Sequence, residues 1–257
     1  MTPGLRTWGQ EAEPALLLHC SLAHSGAWDG VAKALSDILA MTAPDLVGHG
    51  RGPDWDREQD FHDQNTDLAQ SLLPDQPCHL IGHSFGATVA LRLAERLPDR
   101  VKTLTLIEPV LFAAASEDHR RNISPSANAE RAALREGGDF AEAARAFLGN
   151  WGNGTPYDAL PPAQQCYMSE RMPLIAASYP ALHEDRAGLV PGLSRVTMPT
   201  LLMSGGASPP VVRAILDRLE DGIAQTHRAE IAGAAHMLPI THPMEVAADI
   251  RAFIEAV

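Results

Sequence analysis

Three cysteines are all that the 257-residue sequence contains: Cys20, Cys78 and Cys166. They are too few and too scattered for a disulfide framework or a zinc ribbon, and they suit a reducing cytoplasm. Positive charge is short as well, with 20 Lys and Arg against 32 Asp and Glu and a net charge of -12. An acidic chain without a basic stripe is a poor partner for nucleic acid or an anionic membrane. No apolar run approaches the roughly 20 residues of a membrane helix, so no membrane insertion is expected. The opening stretch MTPGLRTWGQEAEP lacks the basic region and apolar block of a secretory signal. No repeat, low-complexity tract or H-E-x-x-H pattern occurs. His79 and His83 fall on a strand and its turn rather than on a helix face, and no metal site is expected.

What is present is an alternation of strand-like and helix-like segments, which predicts an α/β fold with a mainly parallel open sheet and helices on both faces. Strands are expected over 15–19 (ALLLH), 39–44, 78–81, 102–107 (KTLTLI), 200–203 and, in shorter form, 229–231. Helices are expected over 28–39, 61–73, 87–97, 211–219 and 244–256, the last with Val246, Ile250, Phe253 and Ile254 on one face. Between Leu111 and Thr197 the rhythm breaks. Ala, Arg, Glu and Pro increase, and several short helices are expected, at 128–135, 140–148 and 163–172. The stretch is too long for a loop. It reads as a helical insertion over the end of the sheet where open α/β sheets bind ligands. The expected division is therefore a core of 1–110 and 198–257 and a helical cap of 111–197.

One short stretch carries the chemistry. In LIGHSFGA, Ser84 stands between Gly82 and Gly86, where an apolar run ends and helical spacing begins. An incidental serine in a tight turn is one reading. The other is a nucleophile elbow, G-x-S-x-G, whose strained serine exposes its oxygen above the sheet. A serine nucleophile needs a base, and the base needs a third group to hold its tautomer. Of eleven histidines, His236 stands out, in the small-residue loop EIAGAAHMLPITHP before the final helix; an idle loop histidine is the alternative. His83, inside the elbow, is expected to point away from Ser84. For the acid, Glu108 directly follows the strand LTLI and precedes Pro109. A charge at the end of a buried strand is costly unless paired or used; a carboxylate turned to solvent, or paired with an arginine of the insertion, is the alternative. Two backbone N–H donors for an oxyanion are expected on Phe85, at the start of its helix, and on Ser21, in the loop after ALLLH.

With these pieces in order (LLLHCSLAHSGAW, APDLVGHGRG, LIGHSFGA, LTLIEPV and GAAHMLPITHP), nearly the whole chain resembles the α/β-hydrolase superfamily, as a small capped serine esterase-like member. The resemblance implies a Ser84–His236–acid triad, donors at Ser21 and Phe85, and a cap over the site. It makes GHGRG an ordinary loop after a strand rather than a phosphate-binding turn. Three departures stand out. Cys20 occupies the glycine of the usual His-Gly pair, which leaves a reactive thiol near the site as a minor reading. The usual loop for the acid, here GGASPP, has no carboxylate, and Glu108 sits where some dehalogenase-like members carry theirs. The nucleophile is serine and not aspartate, which argues against a dehalogenase or an epoxide hydrolase.

The expected activity is hydrolysis of a small or medium carboxylic ester through an acyl-enzyme, without cofactor. Phe112, Phe147, Trp151, Tyr157, Met168 and Met172 are candidate walls of the substrate pocket or members of the cap's own core. A lactonase, a thioesterase, a carbon–carbon bond hydrolase, a cofactor-free haloperoxidase and a non-catalytic small-molecule receptor remain open, because fold and triad do not set substrate. Oligomeric state is not encoded in these patterns.

Overall fold

A computed structural model describes residues 4–10, 12–121, 133–134 and 138–257. Seven strands among them form one sheet: β1 (Leu5–Trp8), β2 (Glu13–Leu18), β3 (Leu39–Pro44), β4 (Cys78–His83), β5 (Val101–Ile107), β6 (Thr200–Gly205) and β7 (Thr226–Ile231). Their order is β1-β3-β2-β4-β5-β6-β7. Only β1 runs antiparallel, at the edge beside β3; every other pairing is parallel. β1 was not expected. LRTW has no apolar run, and its first three residues are exposed, so an edge strand held by backbone pairing leaves no hydrophobic signature.

The strands alternate between two cores. Leu16, Leu18, Leu80, Leu104, Leu106 and Leu202 pack on one side with α2 (Phe61–Ser71), α3 (Phe85–Arg96) and α6 (Pro210–Gly222). Ala15, Leu17, Met41, Ile81, Ile107 and Met203 pack on the other with α1 (Asp29–Leu35) and α7 (Pro243–Ala256). Burial on both faces is why β2 and β6 carry the continuous apolar runs ALLL and LLM. In α7, Val246, Ile250 and Phe253 are buried as the spacing required.

Between β5 and β6 the described chain has helices and no strand. α4 (Phe140–Trp151) and α5 (Pro162–Glu184) are its long elements. The helix expected over 128–135 lies outside the described residues apart from 133 and 134. The expectation of only short helices fails at α5, which has 23 residues and carries Pro173 and Pro180 inside it. A proline ordinarily ends or kinks a helix, which is why the expected helix stopped at Met172. Burial of Met172, Leu174, Ala181 and Leu182 holds the helix past both prolines, so packing overrides local propensity.

The junction of β4 and α3 is a single residue. β4 ends at His83, α3 starts at Phe85, and Ser84 between them has φ 55° and ψ -118°. So sharp a reversal brings helix and strands together. A Cβ on Gly86 would overlap the Leu18 and His19 carbonyl oxygens, and one on Gly82 would overlap the backbone of Ala87 and Gly86. Because the obstacles are backbone, neither contact can relax by a side-chain rotation. Gly86→Ala is therefore expected to cost about 1–3 kcal/mol, as other overpacked sites do. That corresponds to a fall in Tm of about 2–12 °C for a domain of this size. A thermal melt within a degree of wild type would show that the junction has slack.

Candidate active site

Register brings the site together. His83 on β4 pairs with Ile107 on β5, and Ile107 pairs with Met203 on β6. The next residue of β4 is Ser84 and the next of β5 is Glu108, so the two leave the sheet side by side. The Ser84 N–H donates to the Ile107 carbonyl and the Glu108 N–H to the Met203 carbonyl, each at 2.9 Å. His236 arrives from the loop after β7. That loop is tied to the end of β6 by the Gly206 N–H on the Ile231 carbonyl and the Ala207 N–H on the Ala234 carbonyl, each at 2.9 Å.

The three side chains form a continuous hydrogen-bonded chain. His236 Nε2 lies 2.9 Å from Ser84 Oγ, and His236 Nδ1 lies 2.8 Å from Glu108 Oε2. With Nδ1–H donating to the carboxylate, Nε2 is left as acceptor for the serine hydroxyl. All three residues are buried, and Glu108 has no exposed surface at all. Its other oxygen, Oε1, accepts from the Gly205 N–H at 2.7 Å and from the Ser208 hydroxyl. Gly205 and Ser208 flank the turn after β6. Glu108 therefore faces neither solvent nor an arginine.

Two histidines missed as contributors brace the site. His83 turns to His236: its Nε2–H donates to the His236 carbonyl at 2.8 Å, and the two rings lie 5.1 Å apart. Burial, and next the neighbouring His236, hold His83 well below the usual imidazole range, so it stays neutral. His19 donates from Nδ1 to the Cys20 carbonyl at 2.7 Å and accepts at Nε2 from the Leu46 N–H at 2.9 Å. Burial lowers it to about 4. Neutrality is what allows one nitrogen to donate and the other to accept, and it fixes the loop carrying Ser21. In sequence His83 was placed in the elbow and His19 at the start of the oxyanion loop, but neither was assigned a partner.

Among the described residues, neither the Ser21 nor the Phe85 backbone N–H is engaged by a backbone acceptor. Ser21, Ser84 and His236 line a cavity of about 90 Å³ together with Phe112, Phe147 and Trp151. Trp151 stands edge-on to His236, with ring centroids 4.8 Å apart. Ser21, Phe147 and Trp151 also line a broader groove of about 720 Å³, where Met168 lies. Met172 and Tyr157 are elsewhere. Met172 is fully buried in the core shared by α4 and α5. The Tyr157 hydroxyl is tied to Ser169 Oγ at 2.6 Å, which fastens the ring within that same core. Helical spacing could not tell inward-packed from cavity-facing side chains. Ile175 and Leu182 line the small cavity and were missed for the same reason, and Val110, in the irregular segment after β5, lines it too.

The pattern of the alpha/beta hydrolase family matches residues 15–250. The chain belongs to that family. Over 261 aligned positions this hydrolase is 31% identical to Lipase LipV of Mycobacterium tuberculosis, covering 92% of this chain and 91% of that one. It is 28% identical over 263 positions to the pimeloyl-[acyl-carrier protein] methyl ester esterase of Methylococcus capsulatus, covering 97% of both chains. The bromoperoxidase from Bacillus anthracis has the same fold, with a TM-score of 0.76 at 19% identity over 98% of this chain and 94% of that one. No helix among the described residues of the hydrolase is long and apolar enough to cross a membrane.

Cys20, in the loop with Ser21, is not primed as a nucleophile. It is buried, and burial pushes its thiol up to about 12. Burial likewise pushes Cys78 up to about 11. Cys166 is exposed, though the adjacent Glu170 carboxylate raises it. Near neutral pH the native hydrolase should therefore take up iodoacetamide at Cys166 alone, and slowly, since the thiolate is the reactive form. Peptide mass spectrometry reads the outcome; alkylated Cys20 in folded protein would contradict this account of the loop.

Proposed function

We propose that this hydrolase cleaves a small or medium carboxylic ester with Ser84 as nucleophile, His236 as general base and acid, and Glu108 as the group that orients His236. The observation that carries the reading is the unbroken hydrogen-bonded chain from Ser84 Oγ through both His236 nitrogens to Glu108 Oε2. The names of the lipase and methyl ester esterase relatives support ester chemistry.

In the proposed acylation, Ser84 Oγ bonds to the ester carbonyl carbon as its proton passes to His236 Nε2. The carbonyl oxygen becomes an oxyanion between the Ser21 and Phe85 N–H groups, the second of them at the N-terminus of α3, where the helix field favours negative charge. The tetrahedral species collapses, the bond to the alcohol oxygen breaks, and His236 gives that oxygen its proton. Water then repeats the sequence on the acyl-enzyme, releasing the acid and restoring Ser84. Glu108 holds Nδ1–H throughout and stabilises the imidazolium formed in each half. Residues 111–197 serve as the cap that bounds the substrate, with Phe112, Phe147, Trp151 and Met168 as walls. The substrate is a small molecule, and the proposed compartment is the cytoplasm, supported by the three unpaired cysteines.

A panel of p-nitrophenyl esters of rising acyl length, with fluorophosphonate labelling alongside, tests the assignment. Wild type should turn over some of the panel and form a covalent adduct at Ser84. Ser84→Ala should lose the adduct and at least about a hundredfold in turnover, since triad loss costs several orders of magnitude. Retention of more than about a hundredth of wild-type activity would mean another nucleophile or none.

A further inference from the structure

The cavity beside Ser84 and the groove next to it differ about eightfold in volume, about 90 Å³ against 720 Å³, yet they meet at Ser21, Phe147 and Trp151. Ser84 and His236 line the small one and are absent from the groove's wall. An ester bound for attack at Ser84 has two arms, one on each side of the carbonyl, and the site offers two spaces of very unequal size to receive them.

Each space has a chemistry. A dry cavity of about 150 Å³ holds one benzene ring. A cavity of about 90 Å³ is roughly three-fifths of that, room for about four carbons on the same scale. Its wall is largely apolar, including Val110, Phe112, Ile175 and Leu182. The groove is lined by Leu22, Ala27, Leu148, Met168, Met237 and Ile240 among others, and none of its described lining residues is Asp, Glu, Lys or Arg. Ile240 is 42% exposed, one of few large apolar side chains so placed. A sizeable apolar surface kept at a cavity mouth marks a binding surface, and without a charged residue it suits a neutral apolar group.

Which arm goes where follows from the order of events. In the acyl-enzyme the acyl group stays bonded to Ser84 Oγ, so it occupies the space that Ser84 itself lines. The alcohol must leave and water must enter while the acyl group is in place, so the departing arm needs the broader space. The geometry points to a hydrolase for asymmetric esters: a short acyl group, of up to about four carbons, in the cavity beside Ser84, and a larger neutral apolar alcohol in the groove, with Trp151 and Phe147 as the partition. This rests on Ser84 being the nucleophile.

The test is a matrix of acetyl, butyryl and octanoyl esters of methanol, octanol and 1-naphthol, followed by pH-stat on the full-length protein. In wild type, kcat/KM for butyryl esters should exceed that for octanoyl esters by at least about tenfold, a difference of about 1.4 kcal/mol. Octyl and naphthyl esters should exceed methyl esters by a similar factor. Trp151→Ala opens the partition, and the butyryl-to-octanoyl ratio should collapse toward unity. Because the readout is a ratio within one variant, a general loss from removing the ring beside His236 does not disturb it. If Trp151→Ala does not fold, Phe147→Ala tests the same wall. Octanoyl esters cleaved as well as butyryl ones by wild type would overturn the proposal, as would an unmoved ratio in a folded partition variant. Failure to cleave any ester, with no fluorophosphonate adduct, would instead remove the nucleophile assignment and this proposal with it.

Discussion

The carboxylate of Glu108, without exposed surface at the end of β5, is the constraint around which the site is arranged. A buried carboxylate deprived of partners would cost several kcal/mol. This one has three donors: the Gly205 N–H, the Ser208 hydroxyl and the His236 Nδ1–H. Those donors come from the end of β6, the turn after it, and the loop after β7. Meeting the needs of one side chain therefore fixes three segments that are distant in sequence. The same bonds set the His236 tautomer, which leaves Nε2 facing Ser84. The turn after β6 lacks a carboxylate and supplies hydrogen-bond donors instead, which is the complement that an acid on β5 requires.

Backbone strain gathers at the same place. Four non-glycine residues among those described have positive φ, and three of them are Leu22, Ser84 and Glu108. Each such conformation costs on the order of 1–3 kcal/mol and persists only where the surroundings over-determine it. At Ser84 and Glu108 the surroundings are neighbouring strands, which take both N–H groups into the ladder. At Ser84 the absent side chains of Gly82 and Gly86 add the close approach of α3. The strain lifts the side chains out of the sheet's alternation, so that residues that would otherwise point into a core face the space above the strand ends.

Much of this was legible in the sequence because the core strands are buried on both faces. The apolar run at 15–18, the buried pair Leu80 and Ile81, and Leu104, Leu106 and Ile107 beside buried threonines mark the core strands, and the small residues around Ser84 mark a turn that nothing bulkier permits. The position of Glu108 was legible through the cost of a charge directly after LTLI, which had to be paired or used, together with the lack of any carboxylate in GGASPP. β1 was not legible, since edge pairing by backbone leaves no side-chain pattern. The continuation of α5 through Pro173 and Pro180 was not legible either, because tertiary packing decides it. Nor could spacing separate Trp151, against the His236 ring, from Met172 in the helical core, since both obey the same helical period. His83 and His19 were visible as residues but not as braces, because their partners are backbone carbonyls and amides brought near only by the fold.

The account stands or falls on Glu108 acting through His236. Glu108→Gln keeps the size and the bonds from Gly205 and Ser208 within reach, but it can present an N–H to His236 and favour the wrong tautomer. The direct measurement is kcat of Glu108→Gln on the best ester substrate, with a thermal melt to establish that the variant is folded. The account predicts a loss of about 10⁴-fold, as for acid-to-amide replacement in other triads. A folded variant that loses less than about tenfold, under roughly 1.4 kcal/mol of transition-state stabilisation, would contradict it.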